Sequence, residues 1–405
     1  MVHARRFCTF RLLSPFPKRI SISRRLQSRY VQKYAVSFMA QVSSTAHTHA
    51  NMKTLELARR LYDHYESVEQ VKHYYGLLAI HALVQVAEQG GESLDRCRWI
   101  LSLFPERIDH PQAIGPMYGY NFPSYYIGGI PAAYAYFRGH MPEKEEQVHR
   151  YAEEMMSAPR DPSGIMKDPR APEDNRIWID VAMAVTPYLL FAGLALENQD
   201  YVDEAVKQTI MMYDLLRNPN NGLLHQSRNF NGPGRFSDDH WGRGNGWGYF
   251  ALTELIRYLP NDSPHRTAVE KYFIDHSEAL LPHQSRRGMW RQEIPLDLSY
   301  EETSGTGLIL YGFGAGLRAG LLDEARFRPS FEQGVSGLVK VAVNPDFSIN
   351  NSCPGCLCPG EGEEKGSIGA YVTLKLPHRD EHHGFAPIMY ALLEAHRHGI
   401  TEVGN

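Results

Sequence analysis

At 405 residues, 43% of them hydrophobic, the chain can bury a large core, as one big domain or as two to three smaller ones. A net charge of −4 argues against a nucleic-acid partner, which would leave a basic patch, and favours small or neutral ones. No apolar window of about 18 residues is free of charge, so no membrane span is expected.

The first stretch differs from the rest. Between Met1 and Thr54 there is no Asp or Glu, while Arg5, Arg6, Arg24, Arg25 and other basic residues are scattered among serines. That composition reads either as an organelle transit peptide or as an over-extended start, with Met39 or Met52 the true beginning. Residues 1–52 are therefore set apart as a leader, and 53–405 are expected to form a single domain. A cytoplasmic location follows, or a mitochondrial one if the leader is real.

From Leu55 onward two kinds of helical segment alternate. Segments 53–67, 93–104, 145–158, 200–217, 263–282 and 321–341 carry apolar residues three or four apart on one stripe, the pattern of surface helices. Segments 74–86, 128–137, 178–196, 246–256, 305–317 and 384–395 are apolar nearly all round, the pattern of buried ones. Six inner helices inside six outer ones predict an all-α fold, a closed (α/α)6 barrel. The long, polar and aromatic connections all lead from an outer helix into the next inner one. A binding cleft is therefore expected at that end, beside helix N-termini that favour anionic groups.

Along that end, Asp180 is the only charged residue between Trp178 and Leu196. Apolar walls raise a carboxyl's pKa toward the range of a general acid, the helix N-terminus lowers it, and a simple capping role is the plainer alternative. Next comes HWGRGNGWGYF, His240 to Phe250, where Gly242, Gly244, Gly246 and Gly248 alternate with larger residues. Glycines so spaced make a regular helix costly and suggest a sharp bend presenting Trp241, Arg243 and Trp247. Two aromatic faces and a guanidinium fork suit an acidic saccharide. A phosphate loop lacks its lysine and its preceding strand, and a packed core corner is the bland rival. His225, the tyrosines Tyr118, Tyr120, Tyr125 and Tyr126, and the pair His382 and His383 lie in the same loops, without a spacing specific to metal. Of the five cysteines, Cys353, Cys356 and Cys358 cluster in CPGCLCPGEGEE; they read as a reduced surface loop, with a zinc site the alternative.

Taken in order, Trp178, Asp180 and Pro187, then GLLHQ with His225, then Trp241, Arg243 and Trp247, then ETSGTGLILYGFGAGLRAGLLD resemble glycoside hydrolase family 105, with family 88 its relative. The resemblance runs from about residue 55 to 400. It implies an (α/α)6 barrel and an unsaturated uronyl hydrolase acting on rhamnogalacturonan fragments left by pectin lyases, with no cofactor or metal. It further implies that Asp180 is the general acid/base and that Trp178, His225, Trp241, Arg243 and Trp247 line the site for an acidic oligosaccharide. One departure stands out: the family carries a second aspartate before the second inner helix, where this chain reads YNFPSYYIGG, Ser124 lying nearest. Two other readings keep the cleft: a hydrolase of another uronate-containing glycoside using Asp238, Asp239 or Glu302, or an inactive glycan-binding relative.

Overall fold

The computed structural model describes residues 51–69, 73–104, 122, 125, 127–168 and 172–404. The leader, apart from Asn51 and Met52, and the positions Tyr118, Tyr120, Ser124 and Tyr126 lie outside the described residues. Helix α1 (Thr54–Val68) is followed by α2 (Tyr74–Glu88), α3 (Leu94–Ser102), α4 (Gly129–Phe137), α5 (Glu145–Met156) and α6 (Asp180–Ala195). Then come α7 (Gln199–Leu216), α8 (Gly242–Tyr258), α9 (Arg266–Leu280), α10 (Thr303–Arg318), α11 (Glu324–Ala342), the short α12 (Ile368–Leu374) and α13 (Phe385–Arg397).

The alternation of apolar and amphipathic segments becomes two layers. α2 packs on α4, α4 on α6, α6 on α8, α8 on α10, α10 on α13, and α13 returns to α2, which closes the inner ring. Two antiparallel strand pairs complete the structure: β1 (Met52–Lys53) with β4 (Glu402–Val403), and β2 (Ile177–Trp178) with β3 (Ser227–Arg228). α6 shows why the inner helices are written as they are: every residue from Asp180 to Gly193 is buried, so a stripe would leave a polar face in the core. At the closing seam, the Tyr390 hydroxyl donates to the Leu78 carbonyl at 3.0 Å and lies 2.8 Å from His81 Nδ1. With its one hydrogen committed, the hydroxyl accepts from Nδ1, so His81 is the Nδ1–H tautomer, and burial holds its pKa well below the usual value.

The alternating glycines do not bend the chain. Gly242, Gly244, Gly246 and Gly248 all lie inside the regular helix α8, and their backbone takes no left-handed conformation. They are there because neighbours come too close for a side chain. A Cβ on Gly242 would sit 2.6 Å from the Arg291 carbonyl oxygen, one on Gly244 2.9 Å from the Trp241 ring, and one on Gly246 2.8 Å from Leu308. Facing them on α10, a Cβ on Gly305 would lie 2.6 Å from the backbone carbon of Gly242 and 2.9 Å from the Arg243 nitrogen. Neither backbone can yield without moving its helix. Gly305→Ala is expected to cost about 1–3 kcal/mol of stability through overpacking, read as a lower urea midpoint at unchanged slope. A midpoint equal to wild type would sink that account of the α8–α10 contact.

Candidate active site

The N-terminal ends of the inner helices gather at one end of the ring, and the loops feeding them are laced together there. β2 leads into α6 and pairs with β3 from the loop before α8, and the Ile179 amide donates to the Gln226 carbonyl at 3.0 Å. The Gly242 amide donates to the Gln292 carbonyl at 2.8 Å, tying α8 to the loop before α10. Side chains far apart in the chain are thus fixed on a common frame.

Asp180 is the first residue of α6, and it does not cap the helix: the N-cap position belongs to Ile179. Its carboxyl is buried and Oδ2 has no hydrogen-bond partner. Burial pushes its pKa up to about 7, against the pull of the Arg243 guanidinium and Gln226. At neutral pH such a group exists in both protonation states, which is what a general acid/base requires.

Arg243 is fully enclosed at the start of α8, its guanidinium 4.5 Å above the Trp241 ring. The free fork expected from the sequence is largely spent. Nη1 donates to Ser304 Oγ at 3.1 Å and to the Cys353 carbonyl, and Nη2 donates to the Pro354 carbonyl at 2.9 Å. Only Nε is left without a partner. Trp241 and Trp247 are each 1% exposed, so neither offers the open face expected from the sequence, and their indole N–H groups are likewise unpaired. Trp178 packs in β2 against Phe230, ring centres 6.0 Å apart. His225 is half-buried beside His240 and Phe236, with Nδ1 unpaired. Buried polar atoms are almost always satisfied, so unpaired Asp180 Oδ2, His225 Nδ1, Trp241 Nε1, Arg243 Nε and Trp247 Nε1 at one end of the barrel have the chemistry of a ligand site. Three N–H donors near an acid suit a hydroxylated, anionic ligand.

The cysteine cluster is not a surface loop. Cys353, Cys356 and Cys358 are buried, and among the described residues all cysteines are free thiols. The loop forms a wall of the site because its carbonyls take the Arg243 hydrogen bonds while Gln226 grips it from the other side. Gln226 Nε2 donates to the Cys356 carbonyl at 2.7 Å, and Oε1 accepts from the Cys358 amide at 3.0 Å and the Tyr371 hydroxyl at 2.5 Å. Glu302 and Asp239, weighed from sequence as spare carboxylates, are also committed. Glu302 caps α10, accepting from the Ser304 and Gly305 amides at 2.8 and 2.6 Å and from the Cys353 amide at 2.9 Å. Asp239 accepts from the Trp241 amide at 2.9 Å and the Gln226 amide at 3.3 Å. Asp238 is exposed.

Sequence reasoning passed over Tyr74, at the start of α2. Its hydroxyl lies 2.5 Å from His383 Nε2, and His383 Nδ1 lies 2.7 Å from Glu381 Oε1. The ring of Tyr74 stands 6.3 Å from Trp247 and 4.7 Å from Tyr125. A carboxylate two residues before a histidine at the head of an apolar helix is a weak signal, but it was there to be read. The donor atoms of Glu381, His382 and His383 lie within 4.8 Å of one another, a spacing a metal could bridge. Both ring nitrogens of His383 are already hydrogen-bonded, so a metal would have to displace one of those bonds.

A family model described as Glycosyl Hydrolase Family 88 matches residues 30–398. Among curated relatives, an unsaturated 3S-rhamnoglycuronyl hydrolase of Formosa agariphila is 28% identical over 171 residues, 40% of this chain and 45% of that one. The unsaturated rhamnogalacturonyl hydrolase YesR of Bacillus subtilis is 22% identical over 181 residues, 45% of this chain and 50% of that one. The chain thus spans half or less of the length of these relatives. A solved family 105 glycoside hydrolase of C. acetobutylicum shares the fold, with a TM-score of 0.72 at 20% identity over 84% of this chain and 99% of that one. Among the described residues no helix is long and apolar enough to cross a membrane.

Proposed function

The chain belongs to glycosyl hydrolase family 88, and from that membership we propose that it removes a 4,5-unsaturated uronic acid from the non-reducing end of lyase-derived oligosaccharides. The observation that carries the reading is Asp180: a buried carboxyl with a pKa of about 7, one oxygen unpartnered, within electrostatic reach of Arg243, at the end of the barrel that also holds the unpaired N–H groups of Arg243, Trp241 and Trp247. In this reading the Asp180 proton goes to C4 of the sugar's C4=C5 double bond, and positive charge develops at C5 and the ring oxygen. Water adds at C5, the hemiketal opens to a ketone, and the hemiacetal left at C1 releases the neighbouring sugar. Because an enol ether is hydrated, the spacing of two carboxylates does not set the outcome as it does for ordinary glycosidases. The unpaired donors would hold the uronate carboxylate and hydroxyls. The names of these two curated relatives both include rhamnose, which supports rhamnose as the sugar released.

The test is direct. Incubation with the unsaturated rhamnogalacturonan disaccharide should remove the ultraviolet band of the enol ether and liberate rhamnose in equal amount. A band that persists at enzyme concentrations that bind the disaccharide would favour a glycan-binding role instead.

A further inference from the structure

Hydration of an enol ether moves two protons: one to carbon, one away from the attacking water. Asp180 accounts for the first, while Glu302 and Asp239 are occupied by backbone amides. We propose that Tyr74, backed by His383 and Glu381, is the second proton-transfer group of the cleft; the inference rests on the hydrolase reading above.

The hydrogen bonds run in one direction. Both oxygens of Glu381 accept: Oε1 faces His383 Nδ1, and Oε2 takes the Ser352 hydroxyl at 2.7 Å and the His383 amide at 3.1 Å. Burial opposes ionisation of Glu381, but His383, Arg243 and His382 together hold its carboxyl down to about 2, so it is an acceptor only. Nδ1 of His383 must then carry the hydrogen, and Nε2 accepts from the Tyr74 hydroxyl. Burial, with Arg243 beside it, keeps the imidazole neutral, with its pKa pushed down to about 4. The order is that of a nucleophile, a histidine and an orienting carboxylate, with a phenol in first place.

That order decides what Tyr74 can do. Its hydrogen points into the protein, so the lone pairs of Oη are what it can show to a water. His383 and Glu381 are closed off, 4% and 1% exposed, whereas Tyr74 is partly open, beside Trp247 and within electrostatic reach of both Asp180 and Arg243. Tyr74 is thus the open end of a line that is otherwise buried.

The step balances. Asp180 gives its proton to C4. Water forms the C5–O bond and passes a proton to Tyr74 Oη as the phenol proton moves to His383 Nε2, leaving an imidazolium beside Glu381. As the hemiketal opens, its C5 hydroxyl returns a proton to Asp180 and the line gives its proton to the departing ring oxygen. Tyr74 is then the catalytic residue, and His383 and Glu381 position it and hold the charge.

The experiment follows enol-ether absorbance for the wild-type chain, Tyr74→Phe and His383→Gln. The phenylalanine keeps the ring packed on Trp247. The glutamine carbonyl still accepts a hydrogen bond from Tyr74 but cannot take up a proton. In both variants kcat is expected to fall by about 100-fold or more, the usual worth of a positioned acid or base, with KM within threefold. An active wild type with His383→Gln within threefold of its kcat would overturn the relay and leave the hydrolase reading standing, whatever Tyr74→Phe does. A wild-type chain that leaves the double bond intact would overturn both.

Discussion

Replacing Asp180 by asparagine is expected to lower turnover of an unsaturated uronide by about 10²–10⁴-fold while the protein becomes more stable, not less, above neutral pH. The two effects share one cause. Apolar surroundings disfavour the charged carboxylate, and the pKa of Asp180 rises from the ordinary 3.8 to about 7. The folded state therefore holds a proton that the unfolded state has released between those values. The stability this contributes is complete below pH 4 and is lost as pH rises through 7. At pH 8 the wild-type protein carries a buried, poorly compensated charge with a cost on the order of 4 kcal/mol at most, from about three pKa units at 1.36 kcal/mol each. Asparagine has no such charge. Its thermal midpoint should exceed the wild type's at pH 8 and match it at pH 4. The same titration sets the activity profile: protonated Asp180 donates to carbon, so kcat/KM should fall about tenfold per pH unit above 7. A rate that stays flat from pH 6 to 9, or an active Asp180→Asn, would remove Asp180 from the chemistry.

The second large effect lies at the other end of the barrel. Where the inner helices end, Arg257 of α8 donates to Glu254 at 3.2 Å, to Gln85 of α2 at 2.8 Å and to the Tyr311 hydroxyl of α10. Tyr311 in turn donates to Glu254 at 2.5 Å, while Arg397 of α13 bridges Glu394 at 2.6 Å and Gln85 at 3.2 Å. Burial pushes Glu254 up to about 7, even with Arg257 and Arg397 pulling it down. Arg257→Ala would leave that carboxyl buried without its principal counter-charge, and the expected loss is about 3–5 kcal/mol, read from urea unfolding. Activity per folded molecule should not change, because the network touches nothing at the Asp180 end. Combining Arg257→Met with Glu254→Gln should recover much of the stability, since it removes both charges. A loss under about 1 kcal/mol for Arg257→Ala would mean that the network is not a structural tie.

What the amino-acid sequence determined by itself is the barrel and the end at which its long polar loops lie. Helical periodicity is local, set by contacts three and four residues apart, so apolar and amphipathic segments declare themselves without knowledge of the fold. The isolation of Asp180 in an apolar segment is equally local. The arrangement around it is not. Glycines that look like a bend are helical, because only the three-dimensional structure shows Gly305 pressed against the backbone at Gly242. Arg243 bonds to Cys353, 110 residues away, and Tyr74 to His383, 309 residues away. Contacts at such separations leave no periodic trace, because they arise only when the ring closes and brings α13 back to α2. Tertiary structure alone therefore decided that the guanidinium is mostly spent, that the cysteine loop is buried against it, and that Tyr74 meets His383.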